Sequence, residues 1–126
     1  MKAFVVDDSR ATRLHLGRML REMGFEVEEA EDGVDALQKL ERAEPPEIIM
    51  VDWYMPNMDG LELVKRLRED SRFNGTQAMM VTTETGQDRI AVALEAGANE
   101  YVMKPFSKEM LIEKLEILGI YQPEMG

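Results

Sequence analysis

The chain contains no cysteine and a single histidine, so neither a disulfide framework nor a thiolate metal centre can be built, and a lone imidazole does not make a zinc site. Soft metals are thereby excluded. No stretch approaches the ~20 consecutive apolar residues of a membrane span. The N-terminal MKAFVVDDSR offers four apolar residues before two acids, far short of a signal-peptide core. Positive charge is the scarcer sign: 15 Lys and Arg stand against 25 Asp and Glu, a net charge of -10. That balance repels phosphate backbones and anionic lipid, so nucleic-acid and membrane binding are disfavoured and a basic partner surface is favoured. The chain is expected to be soluble and cytoplasmic.

What is present is an alternation. With 126 residues the chain is about one domain, long enough to bury a core. Apolar runs AFVV (3–6), FEVEEA (25–30), IIMV (48–51), AMMV (78–81) and YVM (101–103) predict five strands. Between them, Leu16, Met19, Leu20 and Met23 repeat at i, i+3, i+4, i+7, as do Ile90, Ala93, Leu94 and Gly97, the stripe of a helix that covers a sheet. Leu37 with Leu40, Leu61 with Val64, and Leu111 with Leu115 and Leu118 repeat it more weakly. Ser9, Asp32, Asp59 and Ser107 stand at expected N-caps, Glu62 makes a box-like pairing with Asp59, and Gly24 and Gly97 sit where C-terminal caps belong. Strands separated by helices run parallel, and near-continuous apolar strands are those covered on both faces. The predicted fold is a doubly wound α/β (βα)5 three-layer sandwich. EPPE and NGT read as ordinary turns, and residues 122–126 read as a short tail after a domain over 1–121, with no output domain.

In such sheets ligands bind outside the carboxyl ends of the strands. Strand 1 ends in Asp7 and Asp8, strand 3 in Asp52, strand 4 in Thr82 and Thr83, and strand 5 in Lys104 and Pro105. One Asp after a strand is ordinarily a cap or turn former; acids, hydroxyls and an ammonium at the same edge of four strands are a site. Two carboxylates ~4 Å apart at an effective dielectric of ~20 repel by roughly 4 kcal/mol, so three of them call for a cation. An all-oxygen set with open positions suits Mg²⁺, which shares its remaining positions with a phosphate ligand. The constellation is that of a phosphorylated carboxylate, with Asp52 as nucleophile and Lys104 and Mg²⁺ neutralising charge.

At these residues the chain resembles the receiver domain of two-component response regulators, and within it the single-domain chemotaxis regulators. VVDDS, EEAEDGVDAL, VDWYMPNMDGLEL, MVTTE and EAGANEYVMKPF carry the likeness over essentially the whole chain. The resemblance implies a flavodoxin-like sheet of order 2-1-3-4-5 and Asp52 as phosphoacceptor. It implies that Asp7, Asp8, Asp52 and the backbone carbonyl of Tyr54 organise Mg²⁺, and that Thr82 and Lys104 contact the phosphoryl group. It further implies a cis Lys104-Pro105 bond, a Tyr101 that swings inward as Thr82 moves, and a partner face including Ile90, Tyr101 and Met103. The donor would be a phosphohistidine on a histidine kinase. The protein would be a monomer that catalyses only its own phosphorylation and dephosphorylation, and its target a protein such as a flagellar motor switch. The alternative is a phosphorelay intermediate or phosphate sink with no output partner. Two residues depart from the common pattern: Tyr54 is large two positions past the acceptor, and Thr83 is larger than the usual Ala or Gly.

Competing readings fail on specific residues. A calcium loop with Gly60 at its sixth position would take Met55 as first ligand and Arg66 as twelfth. A haloacid-dehalogenase phosphatase would need a second Asp where Tyr54 stands. An FMN site would need a phosphate-binding loop where Asp7 and Asp8 repel phosphate. No P-loop motif occurs. His15 lies one step off the first helix's apolar stripe and reads as a solvated or partner-facing side chain. The eleven methionines read as core filler with some adaptable surface.

Overall fold

The computed structural model describes residues 1–83 and 87–122. Five strands, β1 (Lys2–Val6), β2 (Glu26–Ala30), β3 (Ile48–Val51), β4 (Gln77–Thr82) and β5 (Glu100–Met103), form one parallel sheet in the order β2-β1-β3-β4-β5. Helices α1 (Arg10–Glu22), α2 (Gly33–Glu41), α3 (Gly60–Arg68), α4 (Gln87–Ala96) and α5 (Lys108–Ile117) follow the strands in turn. The doubly wound sandwich and its strand order are as predicted. Of the expected tail, residues 123–126 lie outside the described residues, and Tyr121 still packs against the core.

The strand alternation explains why the runs of β1, β3, β4 and β5, unlike that of β2, are apolar throughout. Phe4, Val6, Ile49, Val51, Ala78, Met80 and Tyr101 point into one buried cluster, with Ala36 and Leu40 of α2, Leu63, Val64 and Leu67 of α3, and Ala93 of α4. Their neighbours Ala3, Val5, Ile48, Met50, Met79, Val81 and Val102 point into the other, with Leu16 and Leu20 of α1 and Leu111 and Leu115 of α5. A side-chain period of two thus serves two hydrophobic layers at once. Leu94 departs from its expected place on the covering stripe: Ala93 takes the buried position, and one residue later the helix has turned about 100° and carries Leu94 outward, 48% exposed.

Helix entry follows local chemistry. Ser9, Asp32, Asp59 and Ser107 accept from the backbone N–H of Thr12, Asp35, Glu62 and Met110, so all four N-caps are as read. The Glu62 carboxylate accepts from Arg66 one turn on, so the pairing with Asp59 consists of the Asp59 half. Gly24 and Gly97 have φ of 97° and 116°, as C-terminal caps need. A short 3-10 helix at Ser71–Phe73 was not legible. Arg68 ties this region together: its guanidinium donates to the carbonyls of Gly97 (2.9 Å), Phe73 (2.8 Å) and Thr76 (2.9 Å) and to Asn99 Oδ1 (2.9 Å). The two connections that lead into β4 and β5 are thereby fixed by one side chain.

Candidate functional site

Register brings the acids together. Val6 pairs with Val51, so the residues that follow them, Asp7 and Asp52, leave adjacent strands side by side. The ladder runs on through Asp52 N–H to Val6 O (3.0 Å) and Lys104 N–H to Thr82 O (2.9 Å), which keeps the polar residues at one edge. Asp7, Asp8 and Asp52 each bring a carboxylate oxygen into a group whose members all lie within 4.8 Å of one another. Asp7 is buried, Asp52 partly buried and Asp8 exposed. The Asp7 Oδ1 accepts from Ser9 N–H at 2.8 Å, and Arg13 donates to the Asp7 carbonyl at 2.6 Å.

Lys104 enters from the end of β5. Its Nζ is 2.8 Å from Asp7 Oδ2 and 3.4 Å from Asp52 Oδ2. The fully buried Thr82 also hydrogen-bonds Asp52. Burial by itself would lower the Lys104 ammonium, but its bond to Asp7 and the charges of both carboxylates outweigh that and hold it above its usual range. Asp52 shifts in the opposite sense to a well-matched partner. Burial first, then the Asp7 charge, push its carboxyl above the usual carboxylate value, and Lys104 and Thr82 offset this only in part. One ammonium shared by two carboxylates, with a third beside them, leaves the cluster short of positive charge. An oxygen-only donor set with that deficit fits a hard divalent cation.

The loop after Asp52 is shaped by close contact. A Cβ on Gly60 would lie 2.0 Å from the Asp52 carbonyl oxygen, so only glycine allows α3 to begin against the Asp52 backbone. Trp53 is buried beneath Arg89, whose guanidinium stands 5.4 Å from the ring. Tyr54 and Thr83 are exposed at the mouth. Lys104-Pro105 is cis, as the resemblance implied. Tyr101 is buried and Ile90 packs on the same cluster, while Met103 is 38% exposed at the end of β5. His15 is exposed, with its ring 5.9 Å from that of Phe106.

Two features escaped the sequence reading. Asn57 Nδ2 donates to Asp32 Oδ2 at 2.7 Å, and Arg89 covers Trp53. Asp32 was legible as a cap because its partner is three residues away. Its second partner is 25 residues distant, and no local pattern announces it.

Residues 3–116 match the response regulator receiver domain family. The chain is 45% identical over 119 residues to chemotaxis protein CheY1 of Helicobacter pylori, covering 94% of this chain and 96% of that one. It is 44% identical over 121 residues to a chemotaxis protein CheY homolog of Campylobacter jejuni, covering 94% and 93%. The solved chemotaxis response regulator CheY4 of Vibrio cholerae superposes with a TM-score of 0.87 at 37% identity, covering 93% of this chain and 97% of that one.

Proposed function

The chain belongs to the response regulator receiver domain family, and on that footing we propose that it is a chemotaxis-type signalling switch phosphorylated on Asp52. The observation that supports this best is the convergence of Asp7, Asp8 and Asp52 within 4.8 Å, with Lys104 Nζ at 2.8 and 3.4 Å from two of them. Asp7, Asp8, Asp52 and the Tyr54 carbonyl are the proposed ligands of Mg²⁺, which when bound supplies positive charge to the phosphoryl oxygens. An Asp52 carboxylate oxygen attacks the phosphorus of a phosphohistidine on a histidine kinase. The new O–P bond forms as the N–P bond breaks, and the departing imidazole takes up a proton. Lys104 balances charge on the transferred group and Thr82 donates to one of its oxygens. The reaction is self-modification rather than turnover of a separate substrate.

Thr82 and Met103 are paired neighbours on β4 and β5, so movement at Thr82 is next to the α4–β5 surface. That surface exposes Val92 (41%), Leu94 (48%) and Met103 (38%), an apolar face suited to an output partner such as a motor switch protein rather than to a phosphate sink. No helix among the described residues is long and apolar enough to cross a membrane. Incubation with acetyl phosphate and Mg²⁺, followed by intact mass measurement, tests the acceptor: the wild type gains one phosphoryl group and Asp52→Asn gains none. Undiminished labelling of Asp52→Asn overturns the assignment.

A further inference from the structure

The loop joining β3 to α3 is anchored at both ends. Asp52 N–H bonds to Val6 O in the sheet, and Asp59 caps α3 while Gly60 N–H bonds to Trp53 O at 2.8 Å. The stretch 54–58 between these anchors is gripped from the side by α2, an element that brings no carboxylate to the acidic group. Asn57 holds the left-handed conformation, with φ of 69°, that side chains rarely adopt, and in it the amide reaches Asp32. Asp32 is buried, and its two oxygens are divided: one caps α2 at Asp35 N–H (2.7 Å), the other accepts from Asn57 (2.7 Å). Met58 lies directly on the next residue of α2, since a Cβ added to Gly33 would be 2.8 Å from its Cβ and Cγ and 2.9 Å from its sulfur.

We propose that Asp32 and Gly33 on α2, acting through Asn57 and Met58, are positioning residues that set the affinity of the acidic site for its divalent cation. The inference rests on the reading above, in which the Tyr54 carbonyl is a ligand. Mg²⁺ demands near-ideal octahedral geometry and tolerates little displacement of a ligand. A carbonyl on a loop has no ladder to hold it there, so its place is set by whatever fixes the loop. Here that is the hydrogen bond from Asn57 to a buried carboxylate and the seat of Met58 on a residue with no side chain. Contacts that orient a ligand in this way carry about 10-fold or more of metal affinity elsewhere.

Trp53 follows Asp52 directly, so its emission, with calorimetry alongside, reads Mg²⁺ binding without any phosphoryl transfer. The test compares the wild type with Asn57→Gly and Gly33→Ala, each with its urea midpoint measured without metal. Asn57→Gly keeps the left-handed backbone and relieves its strain while deleting the amide. It should bind Mg²⁺ about tenfold more weakly whatever its change in metal-free midpoint, whereas a purely structural contact would move the midpoint and spare the affinity. Gly33→Ala should weaken binding comparably by pushing Met58 away. Affinity within about twofold of wild type in either variant overturns the proposal. A wild type that binds no Mg²⁺ by calorimetry overturns the metal site itself, and this inference with it; a wild type that binds, with unresponsive variants, overturns this inference alone.

Discussion

Lys104 stands closer to Asp7 than to Asp52: its Nζ is 2.8 Å from the Asp7 carboxylate and 3.4 Å from that of Asp52. The ammonium therefore sits nearer the neighbouring Asp7 carboxylate than Asp52 itself. Removing it should leave Asp52 reactive toward acetyl phosphate. Lys104→Ala should nevertheless bind beryllofluoride, which stands in for the phosphoryl group, about tenfold or more weakly, the worth of one hydrogen bond to a charged group. Fluorescence titration at saturating Mg²⁺ checks this, and unchanged affinity would remove Lys104 from the phosphoryl contacts.

Asp8 is the exposed member of the acidic group. Asp8→Ala should weaken Mg²⁺ binding by about tenfold or more, read by Trp53 emission, because one metal-facing carboxylate is lost. In the wild type, beryllofluoride should change the emission further only when Mg²⁺ is present, since the two stabilise each other's binding. A beryllofluoride response without metal would contradict that order.

Tyr54 and Thr83 are both exposed at the mouth of the site, where they can obstruct the in-line approach of water to the phosphorus. The double variant Tyr54→Asn, Thr83→Ala should lose its phosphoryl group roughly threefold to tenfold faster than the wild type. Decay followed by intact mass decides the matter; equal or slower loss in the variant rejects shielding.

Asp32 gives the molecule an acid-sensitive point away from the Asp7, Asp8 and Asp52 group. The backbone N–H of Asp35 and the Asn57 amide hold its carboxyl below the ordinary carboxylate value. A depressed folded value contributes stability that is fully present above the unfolded value and is lost as pH falls through the folded one. The gap in unfolding free energy between wild type and Asp32→Asn should therefore be largest near neutral pH and close as pH falls through and below the ordinary carboxylate range. Urea melts across that range measure it, and a gap independent of pH would exclude the ionised carboxylate as its source.

Arg68 contributes to stability through geometry as much as charge, because its fork reaches three carbonyls and Asn99 at once. Arg68→Ala should destabilise by about 1–3 kcal/mol, and Arg68→Lys should recover little of it, since an ammonium cannot span those acceptors. Full recovery by lysine would show that charge alone matters there.

The sequence determined much of this protein because the physics involved is local. Apolar alternation, the helical stripes and the caps Ser9, Asp32, Asp59 and Ser107 each rest on interactions within a few residues. The parallel βα order then forces Asp7, Asp52, Thr82 and Lys104 to one edge, so the candidate site is legible in the sequence. What tertiary structure decided was every relation between residues far apart along the chain. Only the fold shows that Lys104 favours Asp7, that Asn57 reaches the second oxygen of Asp32, that Gly33 seats Met58 and that Leu94 turns to solvent. Those contacts depend on how two helices and a loop settle against a twisted sheet to within a fraction of an ångström, and no local residue pattern encodes that distance.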